Sequence, residues 1–395
     1  MKLVVTLWLF FWSSLFFYQL VVAQDVFQVL RDSDVGYAEV KRGVPLIFPQ
    51  DHFPHPDYRI EWWYMTANLK DQQGQDWGLQ WTLFRQSLSP DGNLEGWDSD
   101  QIWMAHAAVT TPDKHFYAER FSRGGIAQAG VNQLTGSNGF DAWIDDWRWQ
   151  SASDTLFPST LEFDIGEHKV SLELNSKDDW VLNGDAGFSQ KSAQGQASYY
   201  YSQPHITVKG TVKTKDKTTP LSGNAWLDRE WSSQALAQNQ KGWDWFSLHL
   251  NDGSKLMVYQ LRHDAEDKLE GDLLSTGGLS ASGLTDENWI SGSWIDMNGE
   301  VTHLGKDDIE LNPSSESQIT TKNNTSITLP LDWTISVSSS MLSTLNRSLT
   351  IKPLYDEQWL STSFPYWEGV VLVSDDKGQN IGKGYMELTG YQPEQ

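Results

Sequence analysis

Residues 226–231, Trp-Leu-Asp-Arg-Glu-Trp, set Asp228, Arg229 and Glu230 between two indoles in a stretch that reads as a β-strand. Side chains alternate along a strand, so Asp228 and Glu230 should share one face while Arg229 and Trp231 take the other. One face of a strand in a closed or layered β structure is interior, and buried charge needs partners or a ligand. Two chemistries are open. The set can be a structural salt-bridge cluster at a seam between domains. It can equally floor a ligand pocket of carboxylates and tryptophans, in which Asp228 or Glu230, desolvated among Trp226, Trp231 and Tyr201, has a raised pKa suited to general acid or base work. Asp228, Glu230 and His205 are therefore the candidate catalytic groups. Glu61, Trp62, Tyr64, His106, Tyr201, Trp226, Arg229, Trp231, Trp245 and Tyr259 are the candidate ligand contacts. His106 and His205 lie in strands among apolar or aromatic neighbours, where each taken alone reads as a hydrogen-bonded core histidine.

Other signatures are missing. There is no Gly-x-Ser-x-Gly elbow and no phosphate-cradling Gly-x-x-x-x-Gly-Lys-Ser/Thr loop. His52-Phe53-Pro54-His55 pairs two histidines across a proline, which suits a surface loop rather than the helical zinc-protease motif. No metal site and no cofactor is expected.

The chain has 395 residues, no cysteine and a formal charge of −23. An acidic surface repels phosphate backbones and anionic membranes, so nucleic acid is excluded as a partner class. Without cysteine neither a disulfide framework nor a lipidated cysteine is available. Residues 1–23 carry Lys2 as their single charge, then an apolar run ending Val21-Val22-Ala23, the pattern of a cleaved export signal. The mature protein is expected to be periplasmic or secreted, with no membrane span left after cleavage. What remains is longer than one core usually holds, so two domains are expected. All but two of the 21 tryptophans lie beyond the signal, more than core filling needs, which points to a wet or amphipathic cavity.

The elements that must position these residues are β throughout. Alternating runs bounded by Gly, Asp, Asn and Ser recur at 60–69, 78–86, 105–110, 171–174, 199–212, 245–250, 255–262, 331–337, 367–373 and 381–388. A helical period is suggested at 232–240 alone. An internal repeat sharpens the architecture: Glu61-Trp62-Trp63-Tyr64 leading through a turn to Arg85 parallels Gly242-Trp243-Asp244-Trp245 leading to Arg262. Arg85 and Arg262 are expected to pair carboxylates within their own domains. A further hairpin, 205–214 with 221–231 around Lys215 to Pro220, returns the Asp-Arg-Glu strand to the first domain and puts the join near Ser232. The expected division is 24–232 and 233–395.

The motifs Glu61-Trp62-Trp63-Tyr64, Gly78 to Arg85, His106 to Thr110, Tyr200 to His205, Ala225 to Trp231 and Gly384 to Tyr391 together resemble the AttH/CrtC-type lipocalin-like family, sometimes labelled predicted secreted hydrolases. The resemblance spans roughly 55–391. It implies two tandem lipocalin-like antiparallel β-barrels, relation to carotenoid 1,2-hydratase, a link of the AttH branch to an ABC transport system, and a hydratase branch that adds water to an isoprenoid double bond without metal or organic cofactor. Against the hydratase pattern, Arg229 stands in place of a histidine, and Gln260 and Leu261 follow Tyr259 where an aspartate is expected.

Three functions are compatible with this reading. The chain is an exported binding protein for an apolar or amphipathic molecule, such as a lipid or isoprenoid, and an accessory to an ABC transport system; or a cofactor-independent hydratase, hydrolase or cyclase working on an isoprenoid-like substrate through buried carboxylates; or a carbohydrate-binding protein. Inward-facing tryptophans favour the first two, and tryptophans on flat outer faces favour the third.

Overall fold

The computed structural model describes residues 28–31, 34–91, 94, 96–134, 139–263, 288–322, 324–338 and 345–391, and the expected export signal lies outside them. The fold is all-β, built from two antiparallel sheets. The first contains β1 (Ile60–Asp71), β2 (Asp76–Ser87), β3 (Gln101–Thr110), β4 (His115–Arg123), β5 (Ala129–Gln133), β6 (Phe140–Ile144), β7 (Trp147–Ser151), β8 (Ser159–Ile165), β9 (His168–Asn175), β10 (Val181–Leu182), β11 (Phe188–Gln190), β12 (Ala197–Lys213) and β13 (Thr218–Ser232). The second contains β14 (Gln240–Leu250), β15 (Lys255–His263), β16 (Trp289–Ile295), β17 (Val301–Leu304), β18 (Ile309–Thr320), β19 (Ser326–Ser338), β20 (Asn346–Pro353), β21 (Trp359–Leu360), β22 (Tyr366–Ser374) and β23 (Asn380–Thr389). An α-helical turn, Gln28–Arg31, and a 3-10 turn, Gln50–His52, precede them.

The repeat has a structural counterpart. In the first sheet the Trp-rich strand β1 lies between its hairpin partner β2 and the closing strand β13; in the second, β14 lies between β15 and the closing strand β23. The first sheet curls until its two ends meet, where Arg120 of β4 donates to the Ile144 carbonyl of β6 (3.3 Å) and to Asp164 of β8 (2.9 Å). Each sheet wraps its own apolar interior. Trp63, Met65, Trp81, Trp147, Trp149 and Leu227 fill the first, and Phe246, Leu248, Trp333, Trp367 and Met386 fill the second.

The two structures meet through their outer faces. A third cluster, including Tyr64, Tyr200, Trp226, Trp245, Tyr259, Val370 and Tyr385, is buried between them. Close approach depends on Gly78 of β2, where a Cβ would lie 2.3 Å from Val370 Cγ2 and 2.6 Å from the Tyr385 hydroxyl. Hydrogen bonds cross the seam at Thr110–Gln358 (3.2 Å), Trp245–Tyr200 (3.2 Å) and Asn183–Ser293 (2.8 Å).

Two expectations fail here. Residues 232–240 form turns instead of a helix, because this short crossing is pulled flat by burial of Ala235, Leu236 and Ala237 and by the bond from Leu236 N–H to the Leu30 carbonyl (3.2 Å). His52 is buried and not on a surface loop: its Nδ1 meets the Tyr201 hydroxyl at 2.7 Å, and the 50–55 segment packs over the end of the first barrel.

Candidate active site

The junction between the sheets encloses a cavity of about 300 Å³. β1 and β13 pair in register, with Trp62 opposite Glu230, Trp63 opposite Arg229 and Tyr64 opposite Asp228. Paired residues share a face, so Trp62, Tyr64, Asp228 and Glu230 form one wall of the cavity while Trp63, Arg229 and Trp231 turn into the first barrel. β14, β15 and β23 supply the opposite wall with Trp243, Trp245, Tyr259, Leu261 and Glu387. Leu30, Phe84, Met104, Ser363 and Phe364, all at least partly exposed, stand towards the mouth.

The charged triplet of β13 splits into two systems. On the barrel side, Arg229 and Arg85 both bond Glu61, and the Arg229 guanidinium lies 3.8 Å over the Trp63 ring. Burial opposes ionisation of Glu61, but the two guanidiniums outweigh it and hold its carboxyl well below the ordinary range. His55 stacks on Trp231 with ring centres 3.9 Å apart and donates its backbone N–H to Glu61 (3.0 Å). This is a structural clamp. Its counterpart in the second sheet joins Arg262 to buried Asp244, so each arginine of the repeat pairs within its own sheet.

On the cavity side, Asp228 accepts from Trp226 Nε1 (2.7 Å), the Tyr200 hydroxyl (2.6 Å) and the Ser202 hydroxyl. Burial nevertheless pushes its pKa up to about 7, aided by the neighbouring charge of Glu230, against the pull of the three donors. Glu230 is ion-paired with Lys191 at 2.7 Å and accepts from Ser198. Burial works against the Lys191 ammonium, yet Glu230 and Tyr259 raise its pKa, and its Nζ sits 4.3 Å over the Tyr259 ring. Across the cavity, burial and then the charges of Asp228 and Glu230 push Glu387 up to about 8 against a hydrogen bond from Trp243. Behind Glu387, its cross-strand neighbour Glu368 accepts from the Tyr64 hydroxyl at 2.6 Å, while its second oxygen has no partner. Burial, and then Glu387, push Glu368 well above the carboxylate range. At neutral pH the site therefore holds a protonated carboxyl on one wall and an ion-paired carboxylate on the other.

Of the residues singled out in the sequence, Asp228, Glu230, Glu61, Trp62, Tyr64, Trp245 and Tyr259 line the cavity. Arg229, Tyr201 and Trp231 face the barrel side, and Trp226 is fully buried behind Asp228. His106 lies one layer back, bonded to the Tyr366 hydroxyl at 2.9 Å. His205 is not part of the site. The β12–β13 register shifts between Gln203 and Ile206, around Pro204, and the slip turns His205 outward to within 3.7 Å of Asp178. Sequence reasoning missed Lys191, Tyr200, Tyr366, Glu368 and Glu387. A signal existed for Glu387: it shares a face with Tyr385 in a strand otherwise built to be buried, the same buried-charge argument that selected Asp228.

Fold and site together define a tandem lipocalin-like protein with an interdomain cavity lined by aromatics and carboxyls. The AttH-like family model matches residues 39–283 and 279–391, and the chain belongs to that family. A crystal structure of an AttH-assigned protein from Nitrosomonas europaea is 32% identical, with a TM-score of 0.73 over 90% of this chain and 100% of its own. Kievitone hydratase from Nectria haematococca shares the fold at 14% identity, with a TM-score of 0.61 over 90% of this chain and 96% of its own. No curated protein sequence matches the chain.

Proposed function

We propose that the protein binds a small apolar or amphipathic molecule bearing a carbon–carbon double bond in the junction cavity and adds water across that bond. The observation that carries this reading is Glu387, a carboxyl held neutral to about pH 8, lining an aromatic cavity opposite ion-paired Glu230. Glu387 gives its proton to one alkene carbon as the π pair forms the C–H bond. The adjacent carbon becomes cationic beside the Trp62 and Trp245 rings. Water adds there and loses a proton to Glu230, and the site is restored once a proton returns to Glu387. Kinship of fold with a hydratase supports this assignment, as does the burial of most tryptophans, which disfavours a flat sugar-binding face. Export to the periplasm and partnership with an ABC transport system belong to the same proposal, on the N-terminal sequence and the family resemblance.

Native mass spectrometry of protein purified from its own host would reveal the bound molecule. Incubating that molecule with protein in oxygen-labelled water should yield a hydrated, labelled product, and Glu387→Gln should bind it without turnover. Binding with no product in the parent would replace hydration by a carrier role.

A further inference from the structure

Three residues of the cavity wall belong to a row that does not stop at the mouth. Strand register sets Trp62 of β1 beside Phe84 of β2, Phe84 beside Met104 of β3, and Met104 beside Phe121 of β4. Cross-strand partners share a face, so all four side chains stand on the outer face of the first sheet. The first three line the cavity; Phe121 lies beyond it and is 51% exposed. The rows on either side end in charge. Tyr64, Thr82 and His106 lead to Glu119, and Ile60, Gln86 and Ile102 lead to Arg123. Neighbours on one face of a strand are about 6.8 Å apart, so between Glu119 and Arg123 the apolar row is a single side chain wide. Its length is three strand spacings of about 4.8 Å, roughly 14 Å. The second half of the chain bounds it at the mouth, where Ser363 donates its backbone N–H (2.9 Å) and hydroxyl (3.0 Å) to Glu119 and the next residue, Phe364, stacks with Trp243.

We infer that the row Trp62–Phe84–Met104–Phe121 is a subsite for the linear apolar tail of an amphiphile whose polar head lies inside the cavity. The inference rests on the apolar-ligand reading proposed above and deepens it by giving the substrate a shape and a direction. Polarity sets the direction. Asp228, Glu230 and Lys191 are buried in the cavity wall, whereas Phe84, Met104 and Phe121 become progressively more open to solvent along β2, β3 and β4. A head placed inside meets hydrogen-bonding partners, and a tail laid outward covers side chains that water otherwise wets. The width selects the occupant: one hydrocarbon chain matches a row one side chain across, while a protein partner or a bilayer surface needs a broader apolar patch. The bond to be hydrated then lies close to the head, between Glu387 and Glu230.

The test reads binding, not turnover. Geraniol, farnesol and geranylgeraniol each add one isoprene unit, and their equilibrium partition between full-length protein and cyclodextrin can be compared as a ratio of variant to parent, in which the reservoir cancels. Phe121→Ser should weaken geranylgeraniol by about tenfold, the scale of leaving one aromatic side chain uncovered, and should leave geraniol unchanged. Met104→Ser, one strand nearer the cavity, should weaken farnesol and geranylgeraniol alike. Met297→Ser removes a side chain that is 73% exposed at the β16–β17 turn and should alter none of them. Parental affinity of Phe121→Ser for all three alcohols, or an equal loss for all three, overturns the subsite while leaving hydration standing. If that variant binds the alcohols as the parent does and loses only flotation with phosphatidylcholine vesicles, the row is a membrane-docking face and the subsite is again overturned. A parent that binds none of the alcohols overturns the subsite and the apolar-ligand reading together. Selective loss of the longest alcohol in a protein that hydrates none of them sustains the subsite and removes only the chemistry.

Discussion

Neighbouring charges in β13 do opposite work because each sees a different environment. Glu61 is locked between two guanidiniums, so Glu61→Gln leaves Arg85 and Arg229 buried without their anion and should cost about 3–5 kcal/mol in urea denaturation. Asp228 and Glu387 are the reverse case, since the folded protein binds their protons more tightly than the unfolded chain does. At pH below about 4 both states are protonated; as pH rises the unfolded chain releases the protons first, so stability contributed by these groups falls between about pH 4 and about pH 8, where the folded groups at last ionise. Glu61 has its pKa lowered, and its contribution is lost only at the acid end. Melting temperature should therefore decline from mildly acid to mildly alkaline pH, and Glu387→Gln should flatten the decline. An unchanged slope in that variant would contradict the raised pKa. The Asp-Arg-Glu triplet was legible in the sequence because three charges in one apolar strand are conspicuous. Lys191 and Glu387 were not, because each is a lone charge whose partners arrive from another part of the chain.

Strand pairing explains which parts of the site could be foreseen. The hairpin of β12 and β13 was legible from the polar break after Thr214, although the turn is tighter than 215–220 and Thr218 to Pro220 already pair within β13; strict alternation then separates Asp228 and Glu230 from Arg229 and Trp231. Alternation fails at Pro204, where a slip of register removes His205 from the face that a two-residue period assigns it. β18 was also beyond reach: Pro313 lies within it, its pairing with β19 shifts twice, and much of its side-chain surface is exposed, so no alternating pattern survives. Where elements of the two sheets touch, space is the constraint. Gly78→Ala must displace Val370 and Tyr385, an overpacking cost of about 1–3 kcal/mol measurable by denaturant titration. A variant as stable as the parent would show that the seam can yield there.

The tandem arrangement was readable from the repeated Trp-rich hairpin, but the way the halves meet was not. The seam-facing residues of β1 and β14, among them Tyr64, Thr66, Ser247 and His249, have the polar character expected of solvent-facing positions, and only burial between two sheets reveals their role. Because the seam buries its own aromatic cluster and cross-sheet hydrogen bonds, the halves should not melt separately. Far-ultraviolet circular dichroism and tryptophan fluorescence should trace one coincident thermal transition, and two resolved steps would show that the seam is weaker than its burial suggests.

The chain passes from one sheet to the other once among the described strands, between Ser232 and Gln240, and Ala235 and Leu236 on that crossing also line the cavity. A molecule held there rests against the segment on which the covalent continuity of the two halves depends. A protease can cut this buried stretch only when it peels open, so occupancy should slow the cleavage of full-length protein into two fragments. Nicking rate thus becomes a label-free gauge of residence time in the cavity, usable before the occupant has been identified.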